Sequence, residues 1–120
     1  MAKNLEISLL LDFYGEMLTE KQREVIEFYY NDDLSLSEIA DNEGITRQGV
    51  RDSIKRAEHQ LLEMEARLGL AKRFREVRDG LERISDSARR IQDYNKQHVY
   101  SRDIEENTRM ILELAQQLCE

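Results

Sequence analysis

Arg47, Gln48, Arg51, Lys55 and Arg56 are the side chains of this chain whose types and spacing suit a chemical task, contact with a nucleic acid. A glutamine can hold adenine through two hydrogen bonds, and arginine or lysine can reach guanine or a phosphate. To act together they must stand on one face of one helix. A helix that starts at Arg47 and buries Val50, Ile54, Ala57 and Leu61 turns Gln48, Gly49, Asp52, Lys55, Arg56 and His59 outward, with Arg47 and Arg51 at the flanks. Asp52 lies at the centre of that face. It can accept from a cytosine amine, yet it repels a phosphate.

The residues before this helix read as the rest of a helix-turn-helix spanning 35–57. Ser35 and Glu38 have the spacing of a capping box, so a short helix begins at Leu36. Gly44 supplies the positive φ that ends it, and Thr46 caps the second helix. Ile39, Ala40, Ile45, Val50 and Ile54 are the positions that two crossing helices bury against each other. Such a unit places its second helix in the DNA major groove.

Charge argues the other way. The net charge is −7, and residues 1–46 hold three bases against eleven acids, a net of −8. Among those acids Asp32, Asp33, Glu38, Asp41 and Glu43 flank the motif, where phosphates have to be neutralised. Residues 47–66 balance, 67–90 carry +4, and 91–120 carry −3. The basic stretch 67–90 reads as a phosphate-tracking surface or as a solvated face with i,i+4 pairs: Arg75 with Asp79, Arg78 with Glu82, Asp79 with Arg83. The local pairing favours the second.

No other constellation carries chemistry. His59 and His98 have no cysteine or carboxylate at metal spacing, the serines lack a His–acid set, and no glycine-rich loop follows a strand. The expectation is a protein that is not an enzyme, with no catalytic residue, metal, cofactor or small-molecule substrate. Cys119 is the single cysteine and no apolar segment opens the chain, so a cytoplasmic location without membrane insertion is expected.

The absence of proline and of any alternating β-branched run predicts an all-α fold. A first helix is expected over 5–18, with Leu10, Phe13, Tyr14 and Met17 apolar, and a second from the Thr19–Gln22 capping box to about Tyr30. Asn31-Asp32-Asp33 is a turn. The second motif helix runs on through Leu61, Met64 and Leu68 to a break at Gly69. Leu70, Phe74, Val77, Leu81, Ile84, Ala88, Ile91 and Asn95 then recur at alternating steps of four and three, a heptad seam in which Asn95 can fix register. After a polar connection, Ser101 caps a last helix with the stripe Ile104, Ile111, Ala115 and Leu118. Residues 1–68 are therefore read as a helix-turn-helix domain and 69–120 as a long helical arm. Phe74, Val77, Leu81, Ile84, Ala88 and Ile91 are its expected homodimer interface.

Residues 18–57, from Leu18-Thr-Glu-Lys-Gln-Arg23 through Lys55-Arg56-Ala57-Glu58, resemble the fourth region of bacterial sigma factors. Leu11-Asp-Phe-Tyr14, Tyr29-Tyr-Asn-Asp-Asp-Leu-Ser-Leu36, Glu38-Ile-Ala40, Thr46-Arg-Gln48 and Ile54-Lys-Arg56 further resemble the YlxM family of small bacterial proteins, most closely over 5–75. That resemblance implies an all-helical, sigma-like fold and a regulatory role in the signal recognition particle pathway, acting on a protein or RNA partner. It brings no catalytic residues. The alternative is a transcription regulator reading a DNA half-site through Arg47, Gln48, Arg51, Lys55 and Arg56. The acids discriminate: Asp33, Glu38 and Asp41 beside Gln48 weaken the DNA reading, whereas pairing with Lys21 and Arg23 preserves it.

Overall fold

Side-chain caps decide where the helices of this protein begin. A computed structural model describes residues 2–119, which form six α-helices, one 3-10 turn and no strand. Asn4 caps α1 (Leu5–Tyr14) by accepting from Glu6 N. Thr19 with Gln22 and Ser35 with Glu38 form complete capping boxes at α2 (Glu20–Tyr30) and α3 (Leu36–Glu43). Thr46 Oγ1 accepts from Gly49 N at 3.0 Å to open α4 (Arg47–Leu68). Each such cap satisfies a backbone N–H that the helix itself leaves unbonded.

Gly44 and Gly69 end α3 and α4 with φ of +67° and +63°, where glycine carries no Cβ penalty. Asp33, at φ +53°, closes the turn after α2; aspartate is among the few other residues that tolerate this region.

The first helix is shorter than the apolar spacing predicts. Thr19 needs extended backbone to cap α2, so the chain leaves the α conformation at Tyr14 and tightens into a 3-10 turn over Gly15–Met17. Leu18 is thereby carried into the core, while Met17, expected inside, is 64% exposed.

The chain divides into two compact units, one ending at Ala71 and the other beginning at Lys72. In the first, α4 is the central element. Its Val50, Ile54, Ala57 and Leu61 are fully buried in a core with Ile7, Leu10, Tyr14, Val25, Ile26 and Ile39. Two tyrosine hydroxyls fasten α4 to its neighbours through glutamates two turns apart. Tyr14 Oη donates to Glu65 at 2.6 Å, and Tyr30 Oη donates to Glu58 at 3.2 Å while accepting from Asn4 N. Tyr14 Oη and Glu65 Oε1 also accept from Leu70 N and Ala71 N, the first amides of α5 (Leu70–Gln97).

The second unit contains the rest of α5 and α6 (Arg102–Cys119), which lie along one another. Ala88 and Asn95 of α5 and Thr108 and Ala115 of α6 are buried at seven-residue spacing. The larger apolar residues flank this seam: Val77, Ile84, Ile91, Ile104 and Ile111 stay about half exposed. Ala88, expected to meet a second chain, is therefore covered by the chain's own α6. Asn95 acts differently from the register-fixing residue anticipated, because its carboxamide bonds the backbone of Ser101. Among the described residues no helix is long and apolar enough to cross a membrane.

Candidate nucleic-acid interface

With Val50, Ile54, Ala57 and Leu61 turned into the core, Arg47, Gln48, Arg51, Asp52, Lys55 and Arg56 are left exposed along the opposite side of α4. The expected face is thus formed, with two changes. Gly49 belongs to the turn: a Cβ there would stand 3.2 Å from Thr46 Oγ1 and 3.6 Å from Ile45 Cδ1, so the missing side chain lets the cap approach its helix. Ile45, expected in the core, is 41% exposed because its side chain lies across that glycine.

The N-termini of α3 and α4 open onto one cleft, lined by Ser35, Leu36, Ser37, Thr46, Arg47, Gln48 and Arg51. Hydroxyls and two guanidinium groups converge there, a donor set suited to phosphate oxygens. Lys55 and Arg56 lie one to two turns further along α4, outside the cleft. Sequence reasoning missed Ser37. Its signal was its place two residues after the Ser35 cap, at the mouth of the same turn.

Two of the five acids beside the motif, Asp33 and Glu43, are held by cations, one of them the expected Lys21. Asp33 pairs with Lys3, whose ammonium also sits 4.7 Å from the centre of the Tyr29 ring. The hydrogen bond from Lys3 and its charge lower the Asp33 pKa. Glu38 closes the capping box by accepting from Ser35 N. Lys21 takes Glu43 at 3.1 Å, and the Glu43 carboxylate is all but buried. Arg23 turns along its own helix to Glu27 instead. Asp41 remains exposed.

On α4 itself Gln48 Nε2 donates to Asp52 Oδ1 at 2.9 Å, so the two central side chains hold each other in place. Glu58 and Glu65 are bound by the two tyrosines, and Glu63 pairs with Arg67. In the arm, Arg78 reaches Glu82 at 3.5 Å as expected, joined by Arg73 with Glu76 and Arg89 with Asp86. Among the described residues no group of His, Cys, Asp and Glu is placed to hold a metal ion.

A family model described as "Putative helix-turn-helix protein, YlxM / p13 like" (UPF0122) matches residues 1–114. A UPF0122 protein of Thermoanaerobacter sp. strain X514 is 44% identical over 110 residues, covering 92% of this chain and 94% of the relative. One from Caldanaerobacter subterraneus subsp. tengcongensis is 49% identical over 82 residues, 68% of this chain and 70% of its own length. A third, from Desulforamulus reducens, reaches 52% over 69 residues, 58% of this chain and 59% of the relative.

Proposed function

The chain belongs to the YlxM/p13-like UPF0122 family of helix-turn-helix proteins, and from that premise we propose that it is a non-enzymatic regulator that grips nucleic acid through α3 and α4. The observation that carries this reading is the cleft of Ser35, Ser37, Thr46, Arg47, Gln48 and Arg51, combined with the pairing of Asp33 with Lys3 and of Glu43 with Lys21. Phosphate contacts fix such a protein on a duplex, and Gln48, Lys55 and Arg56 are then in position for base edges or further phosphates. Its place is the signal recognition particle pathway, as the YlxM resemblance implies, with that particle's RNA or protein as partner.

The half-exposed series Phe74, Val77, Ile84 and Ile91 on α5 supports a homodimer through the arm. Ile111 of α6 joins Ile84 and Ile91 around one groove, so both helices contribute to that surface. The apolar residues that α6 leaves half exposed gain further free energy only when another surface covers them.

A second reading is a transcription regulator, favoured by the exposed face of α4 alone. Titrating the full-length protein with signal recognition particle RNA and with a DNA duplex separates the two. Tight binding to the RNA with weak, sequence-independent binding to DNA supports the first reading. A preferred DNA sequence supports the second. If neither binds at low salt, regulation through protein contacts is what remains.

A further inference from the structure

The hairpin of α5 and α6 carries an apolar ladder along one side. The Asn95 carboxamide bonds both backbone polar groups of Ser101, and the two helices run antiparallel from that point. Counting outward from this pair sets Ile91 level with Ile104, Ile84 with Ile111 and Val77 with Leu118, each within one residue. These three rungs are spaced by seven residues, and their side chains are 39–66% exposed. Ile84, Ile91 and Ile111 line one groove, so the ladder lies to one side of the buried seam.

The two helices differ along the outer edges of this face. Gly80 and Ser87 of α5 line the same groove, and a Cβ at Gly80 meets nothing within 4 Å. On α6 the matching places hold Met110 and Leu114, both more than half exposed and turned away from Thr108. By the same register Leu114 stands within two residues of the level of Gly80, and Met110 within one of Ser87. Arg83 and Arg90 follow the outer edge of α5 without an ion pair among the described residues, while Glu76 is held by Arg73. Asp103 of α6, equally unpaired, comes within three residues of the level of Arg90.

A second copy can cover the ladder with its own in two symmetric ways, and both keep the rungs in register. A two-fold axis across the helices lays α5 on α5 and α6 on α6. That arrangement brings Arg83 beside the partner's Arg83, crowds Met110 against the partner's Leu114, and leaves Gly80 facing the partner's Ser87. An axis along the helices lays α5 on the partner's α6 instead. Small then meets large, Gly80 against the partner's Leu114 and Ser87 against the partner's Met110, and Arg90 meets the partner's Asp103.

We propose that the arm pairs in the second way, as a four-helix bundle whose neighbouring helices are all antiparallel and whose two chains enter at one end. This rests on the homodimer proposed above and adds its geometry. Both helix-turn-helix units are then tethered to the same end of the bundle, where one nucleic acid can engage two copies at once.

The test is the distance between the two tips, read by double electron–electron resonance on full-length Val99→Cys with Cys119→Ser carrying a nitroxide. Val99 is 94% exposed, so the label does not disturb packing. Entry at one end sets the tips side by side, below about 30 Å apart for helices packed about 8–10 Å from one another. The crossed arrangement separates them by about 45 Å, fifteen residues on either side of the middle rung at a rise of about 1.5 Å each. A second variant tests the face itself. Gly80→Leu fills space that is open within one chain, and it is expected to raise the dimer dissociation constant about tenfold or more at unchanged helicity. A tip distance near 45 Å overturns the arrangement and keeps the homodimer. Gly80→Leu associating like the wild type also overturns it, because α5 would then pair through another face. Wild-type protein that sediments as a monomer removes the homodimer and this geometry together.

Discussion

Gly44 isolates backbone strain from packing. A Cβ built there meets nothing within 4 Å, so a substitution is penalised only through its φ of +67°. Gly44→Val is expected to lower stability by about 1–3 kcal/mol, the usual cost of forcing a β-branched residue into that region, and Gly44→Asn by clearly less. Thermal melts of the two variants check this; equal melting temperatures would mean the turn is not strained in this way. Tyr14 tests a different term. Burial, and then its hydrogen bond to Glu65, raise the phenol pKa above its ordinary value. A group whose pKa is raised on folding contributes stability that is complete below its unfolded pKa, about 10, and lost as pH climbs through the folded value. The urea midpoint of the wild type should therefore fall above pH about 10, and Tyr14→Phe should flatten that fall. Tyr30, raised by burial in the same direction, leaves a residual slope.

At the scale of the element, α4 has to serve two faces at once. Its buried side holds the core, so changes on its outer side can alter binding without altering the fold. Arg51→Ala and Lys55→Ala should each weaken nucleic-acid binding at an unchanged melting temperature. Asp52→Asn should tighten it, because the amide oxygen can still accept from Gln48 while the negative charge is gone. Affinity should also fall with salt, by a log–log slope of about −0.9 for each phosphate neutralised. A slope near zero, or tighter binding after Arg51→Ala, would remove α4 from the interface.

For the whole molecule, the consequence of the arm is assembly. Ile84 and Ile91 stand about half exposed beside a seam whose centre is already filled by Ala88 and Thr108. Covering such residues contributes a share of the roughly 1.5–3 kcal/mol that full burial of each is worth. Wild-type protein is expected to sediment as a dimer and Ile84→Asp as a folded monomer. A monomeric wild type at micromolar concentration would refute pairing through this face. The acidic excess of residues 1–46 also has a molecular-scale effect. It lowers encounter rates with any polyanion, so binding should be weak at physiological ionic strength even with Asp33 and Glu43 paired.

The capped helix starts and the glycine stops were legible in the sequence because they are local, whereas the end of α1 at Tyr14 was not. Thr19, Ser35 and Thr46 act on amides two or three residues away, and Gly44 and Gly69 on their own backbone, so residue type and spacing carry the information. The exposed face of α4 followed from the same logic, since a buried stripe fixes its opposite side. Three outcomes depended on contacts between residues far apart in the chain. Lys3, which the sequence did not single out, reaches Asp33, and Lys21, which it did, reaches Glu43 rather than Asp33, Glu38 or Asp41. Tyr14 and Tyr30 claim Glu65 and Glu58 across 51 and 28 residues. The rotation of α5 against α6 put Ala88 and Asn95 at the centre and the isoleucines beside them, although all share one heptad pattern. A periodic pattern defines a stripe wider than a single line of contact. Which part of the stripe is buried, and which charges meet, is set by the distance and rotation between elements, which only the tertiary structure decides.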